Sequence, residues 1–253
     1  YYCDSAYGRF AGLIQIAVIT PVPDVIDTLI QNSMLRKAVE KRVVKLHTVN
    51  IREFGIGNYR QIDDTPFGGG SGMVMMAEPL FKALDKATDL VGGTDNIRVV
   101  YPSPQGKTWD QKFAEDMSKQ QKIIMICGHY KGIDERVIEK YVTDEYSIGD
   151  FVMTSGEIPA MVMLDSIVRL VPGTLNTLDS ALSDTFTQGL LDHPHYTQPR
   201  MVEEMPVPEI LLGGHHEKIE SWRQDQRERR TKDKRPDLWR KYIKMKESEK
   251  NNG

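Results

Sequence analysis

Apolar and polar positions change in blocks along the first two thirds of the chain, and each block has the length of a strand or a helix. Short apolar runs, which predict buried strands, cover residues 13–20, 43–51, 97–101 and 123–127. Apolar residues recur at helical spacing in 24–41, 78–90 and 109–120, and a charged helical segment follows at 133–141. Strands that alternate with helices are typical of an α/β fold, so we predict a mostly parallel sheet with helices on both faces.

Glycine-bearing turns follow two of these strands. Gly128 and Gly132 bound the turn after residues 123–127, and the rigid turn 102–106 follows the strand at 97–101. Parallel sheets bind their ligands at the carboxyl ends of the strands. We therefore expect both turns to line a pocket for a small molecule.

A third loop completes this predicted pocket. An extended segment at 146–153 contains Gly149 and ends at Ser155-Gly156, where a missing Cβ lets backbone approach backbone or ligand closely. Pro159 then opens an almost wholly apolar helix that runs to Val171, and Pro172-Gly173 ends it. Between the second strand and the next helix lies a long polar stretch, 52–76, and a loop of this length is usually functional or disordered.

The character of the sequence changes after about residue 175. We predict an unstructured leader or expression remnant at 1–12 and an α/β domain at 13–175. A polar linker without periodicity is predicted at 176–191, and a small, mainly helical domain at 192–253, with a helix from about 217 to 232.

Composition narrows the class of protein. The chain has 253 residues, is 40% hydrophobic and has no apolar run near the ~20 residues of a membrane helix, which favours a cytoplasmic protein with no membrane partner. Its two cysteines, Cys3 and Cys127, are too few for a disulfide framework or a thiolate cluster, so we expect no metal site. The net charge of −3 conceals a basic segment at 222–250, which has twelve Lys/Arg against six Asp/Glu.

Common phosphate-binding motifs are missing. No GxGxxG follows a strand, and the glycine run at 68–72 has no Lys-Ser/Thr after it, which disfavours a dinucleotide or nucleoside-triphosphate enzyme. By spacing alone, Arg169 is a cation in the last turn of a helix and Asp184 is an N-cap, and both roles are common. Arg227 to Arg235 likewise fits a solvated helix face.

Seven motifs in order carry a resemblance to a known family. They are DDTPFGGGSGMVM (63–75), YPSPQG (101–106), CGHYKGIDERV (127–137), SIGDFVMTSGEIPA (147–160), SALSDTF (180–186), LLDHPHYTQPR (190–200) and GGHHEKI (213–219). Together they resemble the bacterial tRNA (guanine-37-N1)-methyltransferases of the SPOUT superfamily, from about Leu13 to the carboxy-terminal helix.

The resemblance implies a fold, a reaction and partners. It implies an α/β domain with a carboxy-terminal trefoil knot, an obligate homodimer, and methylation of guanine N1 at position 37 of tRNA with S-adenosylmethionine as cofactor. A role for Mg²⁺ in catalysis enters through the resemblance alone. Because chains rarely thread their own loops, no pattern in the sequence predicts the knot.

The resemblance also assigns residues. Asp184 is implied as the general base for guanine N1 and Arg169 as the cation that steadies O6, which fits a reaction that removes a proton while charge builds on oxygen. The tRNA-binding residues implied are Asp64, His195, Arg200, Arg227 and Arg230. The cofactor-binding residues implied are Tyr101, Pro102, Ser103, Pro104, Gly106, Gly128, Tyr130, Lys131, Gly132, Ser147, Ile148, Gly149, Phe151, Met153, Ser155, Gly156 and Pro159.

Departures from the family pattern and two alternatives accompany this interpretation. Pro21-Val22-Pro23 stands where the family has Leu-Phe-Pro. Ser155 stands where the family has glycine, and His129 and Lys131 stand where many members have Arg and Glu. One alternative is another RNA methyltransferase of the superfamily, such as a ribose 2′-O enzyme, which would not need the carboxylate of Asp184. The other is a non-catalytic RNA-binding protein on the same scaffold, which would not need to retain both Arg169 and Asp184.

Overall fold

The computed structural model describes residues 12–175, 185–186 and 189–251. The chain divides into two compact units, Tyr1–Leu178 and Asp179–Gly253. Strands of the first unit are β1 (Ile14–Thr20), β2 (Val44–Asn50), β3 (Asp63–Asp64), β4 (Val74–Met75), β5 (Ile97–Thr108), β6 (Lys122–Ile126) and β7 (Asp144–Ser147). Its helices are α1 (Pro23–Asn32), α2 (Met34–Glu40), α3 (Ala77–Leu90), α4 (Gln111–Ser118), α5 (Glu135–Tyr141) and α6 (Glu157–Val168).

Five strands form one sheet in the order β2-β1-β6-β5-β7, and every neighbouring pair is parallel. The predicted α/β class is therefore confirmed. Along β1, Ile14, Ile16 and Val18 join the core beneath one face, whereas Ala17 and Ile19 join the core on the other face. Both sets are fully buried, which explains why the strand is a continuous apolar run rather than an alternating one.

The single helix predicted at 24–41 is wrong, because two helices, α1 and α2, occupy this segment. Ser33 lies between them with extended backbone angles, and its hydroxyl accepts a hydrogen bond from the backbone N–H of Leu35 at 3.1 Å. Serine favours this capping geometry over a helix interior, and the apolar spacing continues across the break.

Two predicted strands have different bounds in the structure. The segment predicted as extended at 146–153 is a strand only as β7, and Gly149 lies in the loop after it rather than inside the strand. Conversely β5 continues well past the predicted end at 101. Pro102 and Lys107 both pair with Tyr146 of β7, so residues 103–106 loop out of the ladder between them.

The chain crosses back over the sheet after β7. This strand is at the edge of the sheet, yet the following loop returns to the end of β6, two strands away, where the N–H of Gly156 donates to the carbonyl of Gly128 at 2.7 Å. Helix α6 then packs against α1, α2 and α4 on one face of the sheet. This return crossing is consistent with the implied trefoil knot.

The second unit is mainly helical in the described residues. It contains α7 (His216–Lys234) and α8 (Pro236–Asn251), and a two-stranded hairpin of β8 (Met201–Val202) and β9 (Met205–Pro206). The predicted helix at 217–232 is confirmed as α7. Within the described ranges, no helix is long and apolar enough to cross a membrane.

Candidate active site

Three loops at the carboxyl ends of β5, β6 and β7 enclose a cavity of about 440 Å³. Every implied cofactor-binding residue except Gly106 lies in its lining. The lining also includes residues that are not among the implied cofactor-binding residues: Gln105, His129, Ile133, Glu135, Ile138, Glu145, Tyr146, Val152 and Thr154. The position of the cavity agrees with the rule for parallel sheets.

The first loop is the excursion of residues 103–106 from β5. Gly106 does not line the cavity but allows the excursion, since a Cβ there would lie 2.4 Å from the backbone carbon of Glu145. Ser103 is buried, and its hydroxyl accepts a hydrogen bond from the N–H of Gln105 at 3.2 Å, which fixes the loop.

The second loop, 128–132, surrounds the ring of Tyr101. A Cβ on Gly128 would lie 2.9 Å from the Cε2 atom of Tyr101, so this approach requires glycine. Tyr130 has a positive φ of 58°, which turns the loop around the ring. Burial, together with the nearby carboxylates of Glu145 and Glu135, raises the pKa of Tyr101 to about 12, so its hydroxyl stays neutral at physiological pH.

The third loop, 148–156, closes the cavity from the side of β7. Gly149 has a φ of +148°, and a Cβ there would lie 2.6 Å from Cε1 of Phe151. The close backbone approach occurs at Gly156, where a Cβ would lie 2.6 Å from the N atom of Gly128. Ser155 forms an antiparallel β-bridge with His129. The loop accommodates the serine side chain at this position.

A buried hydrogen-bond network fixes the base of this loop. The carboxylate of Glu157, 2% exposed, lies 2.8 Å from Nε2 of His129 and accepts a 2.5 Å hydrogen bond from the hydroxyl of Thr20. Burial raises the pKa of Glu157, but the hydrogen bonds from His129 and Thr20 outweigh it and hold this pKa below the ordinary value. The network joins the ends of β1 and β6 to the start of α6.

The long polar stretch is bonded to the second loop. Met73 and Met75 accept hydrogen bonds from the N–H groups of Lys131 and Asp134 at 3.0 and 2.9 Å. Asp64, on β3, pairs with Val74 on β4 in this segment and is exposed. The glycine-rich run before Met73 has positive φ values at four positions, which few other residues adopt.

The cavity fits S-adenosylmethionine. Glycine-rich turns expose backbone N–H and C=O groups that suit an adenine edge, and no phosphate cradle is needed for this molecule. The cofactor is cationic at its sulfonium and amino groups, and the lining includes the carboxylates of Glu135 and Glu145. Cys127, directly after β6, is fully buried, and burial raises the pKa of its thiol well above the ordinary value, which disfavours thiolate chemistry there.

Of the two implied catalytic residues, only Arg169 belongs to the described part of the chain, and it does not line this cavity. Arg169 is the C-cap of α6, at the opposite end of the helix from Gly156 in the cavity wall, and twelve helical residues separate them by about 18 Å. Asp184 lies outside the described residues, as do the implied leader residues 1–11 and most of the linker. One chain therefore does not bring Arg169 to its own cavity.

The remaining implied tRNA-binding residues lie in the second unit, and three of them contact Asp192. His195 lies 2.8 Å from its carboxylate and Arg227 lies 3.3 Å from it, while Arg230 donates to its backbone carbonyl at 3.4 Å. Asp192, His193 and His195 bring possible metal-ligand atoms within 4.8 Å of one another, although the carboxylate of Asp192 already contacts Arg227 and His195. Arg200 lines a second cavity.

The fold and the cavity define an α/β protein that binds a small molecule at the carboxyl ends of a parallel sheet. The family model described as "tRNA (Guanine-1)-methyltransferase TrmD" matches residues 14–241. The chain belongs to this family.

Three relatives illustrate the similarity, and each is named tRNA (guanine-N(1)-)-methyltransferase. The protein of Staphylococcus carnosus is 46% identical over 94% of this chain and 95% of its own length. That of Clostridioides difficile is 45% identical over 88% and 96%. That of Brevibacillus brevis is 46% identical over 91% and 93%.

Proposed function

We propose that this protein transfers a methyl group from S-adenosylmethionine to N1 of guanine in tRNA, at position 37 beside the anticodon. The observation that carries the proposal is the glycine-walled cavity at the ends of β5, β6 and β7, in a chain that belongs to the tRNA (guanine-1)-methyltransferase family. The bound cofactor supplies an electrophilic methyl group. A reaction on tRNA takes place in the cytoplasm, where we place the protein.

The chain must then remove a proton and stabilise charge. Guanine N1 bears a proton, and as it leaves, negative charge develops on O6. In the proposed mechanism the carboxylate of Asp184 accepts this proton and the guanidinium of Arg169 stabilises O6. The neutral hydroxyl of Tyr101 can orient a ligand in the cavity but cannot act as the base at physiological pH, because its pKa is about 12.

A homodimer would supply Arg169 and Asp184 to the cavity. Since Arg169 and the cavity wall are at opposite ends of α6, an Arg169 that acts on guanine must come from a second copy of the chain. Ile158 and Val162, one turn apart on α6, are each 47% exposed, and Val25 on the neighbouring α1 is 38% exposed. Burial of this apolar surface would favour such a dimer.

The test maps the product. A tRNA transcript with guanine at position 37 is incubated with protein and S-adenosylmethionine, digested, and analysed by mass spectrometry for 1-methylguanosine, with a transcript that has adenine at position 37 as control. Methylation at N1 of that guanine only is expected. A methyl group on a ribose 2′-oxygen, or no transfer despite cofactor binding, would refute the proposal; an arm with EDTA measures dependence on Mg²⁺.

A further inference from the structure

The second unit contains a cavity of about 450 Å³, and its lining includes His195 and Arg200, two of the implied tRNA-binding residues. Its floor is apolar and includes Val207, Leu211 and Ile219. Its walls include the cationic side chains of Arg200 and Arg223. A concave site of this size that combines apolar side chains with convergent polar groups is typical of small-molecule or single-residue recognition.

The walls suit an anionic ligand. No aspartate or glutamate is among the residues that line the cavity. The carboxylate of Asp192, beside it, is already engaged by His195 and Arg227. The Nη1 atom of Arg223 donates to the carboxylate of Glu220 at 2.5 Å. Its Nε atom is buried and has no hydrogen-bond partner in the described part of the chain, so a ligand acceptor could satisfy it.

The walls also suit a flat, polar ring. Tyr196 lines the cavity with 48% of its surface exposed, and the rings of His193 and His195 lie 4.4 Å apart at the same wall. The amide of Gln198 offers both a donor and an acceptor. Unpaired RNA bases are recognised in this way, by stacking on aromatic or guanidinium planes and by hydrogen bonds to their edges.

We propose that this cavity binds one unpaired nucleotide of the tRNA substrate, with the base stacked on Tyr196 and the phosphate facing Arg200 and Arg223. The inference rests on the proposed function, because it takes tRNA as the ligand. It adds a site of base recognition in the second unit to the sequence-independent attraction that the basic segment provides.

The experiment couples protein and RNA changes. Full-length tRNAs are assembled by ligation so that one unpaired nucleotide at a time lacks its base, and their affinities are measured for the full-length wild type, Tyr196→Ala and Tyr196→Phe. At one nucleotide, loss of the base should weaken binding to wild type about 10-fold, the size of one base–aromatic stacking interaction. The same loss should have no further effect on Tyr196→Ala, whereas Tyr196→Phe should behave as wild type.

The outcomes separate this inference from the proposed function. Circular dichroism and S-adenosylmethionine affinity establish that each variant is folded. The cavity assignment would be overturned if base removal and Tyr196→Ala weaken binding additively at every unpaired nucleotide. It would also be overturned if Tyr196→Ala binds every tRNA with wild-type affinity. Wild-type methylation of the intact tRNA is measured in parallel: its absence refutes the proposed function, and its presence with additive binding effects refutes the cavity alone.

Discussion

At the scale of single residues, the cofactor cavity depends on positions where a side chain would collide with its surroundings. Gly149 has a φ of +148°, and a Cβ added there would lie 2.6 Å from the ring of Phe151. A Cβ added at Gly156 would lie 2.6 Å from the backbone N atom of Gly128. Backbone groups can approach a ligand closely only where the Cβ is missing. These glycines therefore shape the cavity directly.

Gly149→Val should abolish S-adenosylmethionine binding, because the valine both strains the backbone and displaces Phe151 from the cavity wall. Isothermal titration calorimetry on folded protein measures the loss. Gly93→Val is the matched control, since Gly93 also has a positive φ, of 97°, but no atom lies within 4 Å of its would-be Cβ. Unaltered affinity in Gly149→Val would remove this loop from the cofactor site.

Glu157→Gln should destabilise the protein at pH 7 by about 1.5–3 kcal/mol, the usual size for hydrogen bonds to a buried charge. Because the folded-state pKa of Glu157 lies below its ordinary value of 4.5, its contribution is present above that value and is lost as the pH falls through the folded pKa. The difference in free energy of unfolding between wild type and Glu157→Gln, measured by urea unfolding, should therefore shrink as the pH falls below about 5.

The exposed Glu139→Gln is the control for this measurement, and it should change the free energy of unfolding by less than about 0.5 kcal/mol. A difference between wild type and Glu157→Gln that is constant with pH would contradict the ionised network of Glu157, His129 and Thr20.

Asp184→Asn should lower the single-turnover methylation rate by about 10²–10⁴-fold, the contribution of a positioned general base. Part of the rate should return as the pH rises, because guanine N1 then deprotonates unaided. Arg169→Ala should lose rate without that recovery, since the cation is missing at every pH. If Asp184→Asn methylates within a few-fold of the wild-type rate at saturating tRNA and cofactor, Asp184 is not the general base. The N-cap role that its spacing predicts would then be the better interpretation.

At the scale of secondary-structure elements, α7 contributes part of the basic segment 222–250, but its cations are not equivalent. Arg227 is only 17% exposed at its side chain and lies 3.3 Å from Asp192, so its removal would disturb folding as well as binding. Arg229 and Lys232 are exposed on the same helix. They are the better probes of interaction with phosphates.

Replacing Arg229 and Lys232 with glutamine should weaken tRNA binding and reduce the slope of log affinity against log salt by about 1 for each phosphate that is no longer neutralised. Cofactor affinity should stay the same. Lys86→Gln on α3, an exposed cation of the first unit, provides a control for loss of charge. If the salt dependence of tRNA affinity is unchanged in the double variant, this face of α7 contacts solvent and not tRNA phosphates.

At the scale of the whole molecule, the proposed mechanism requires two subunits, because Arg169 is separated from the cavity of its own chain. Asp184→Asn and Gly149→Val proteins should each be inactive alone. After subunit exchange, mixed dimers should carry one working site, so an equal mixture should regain about a quarter of wild-type activity. Exchange is followed by native mass spectrometry, and proven exchange without recovery would contradict a site shared between subunits.

The sequence by itself determined the parallel sheet, the existence of most helices and the loops that form the cavity. Continuous apolar runs identify strands buried on both faces, and glycines after them identify turns at the carboxyl ends, because both signals are local in the chain. Of the sixteen implied cofactor residues that line the cavity, twelve lie in the loops 103–106, 128–132 and 148–156, and the other four lie in the adjoining strands and helix: Tyr101, Pro102, Ser147 and Pro159. The break between α1 and α2 was missed, since Ser33 interrupts the helix without interrupting the apolar spacing.

Only the tertiary structure decided which distant groups meet. Nothing local to Glu157 shows that its carboxylate is buried between His129 and Thr20, because Thr20 is 137 residues away in the chain. The excursion of residues 103–106 depends on β7 pairing on both sides of it. The return of the chain from the edge strand β7 to Gly128, and the distance of Arg169 from the cavity, likewise follow from how α6 packs rather than from any pattern of residues.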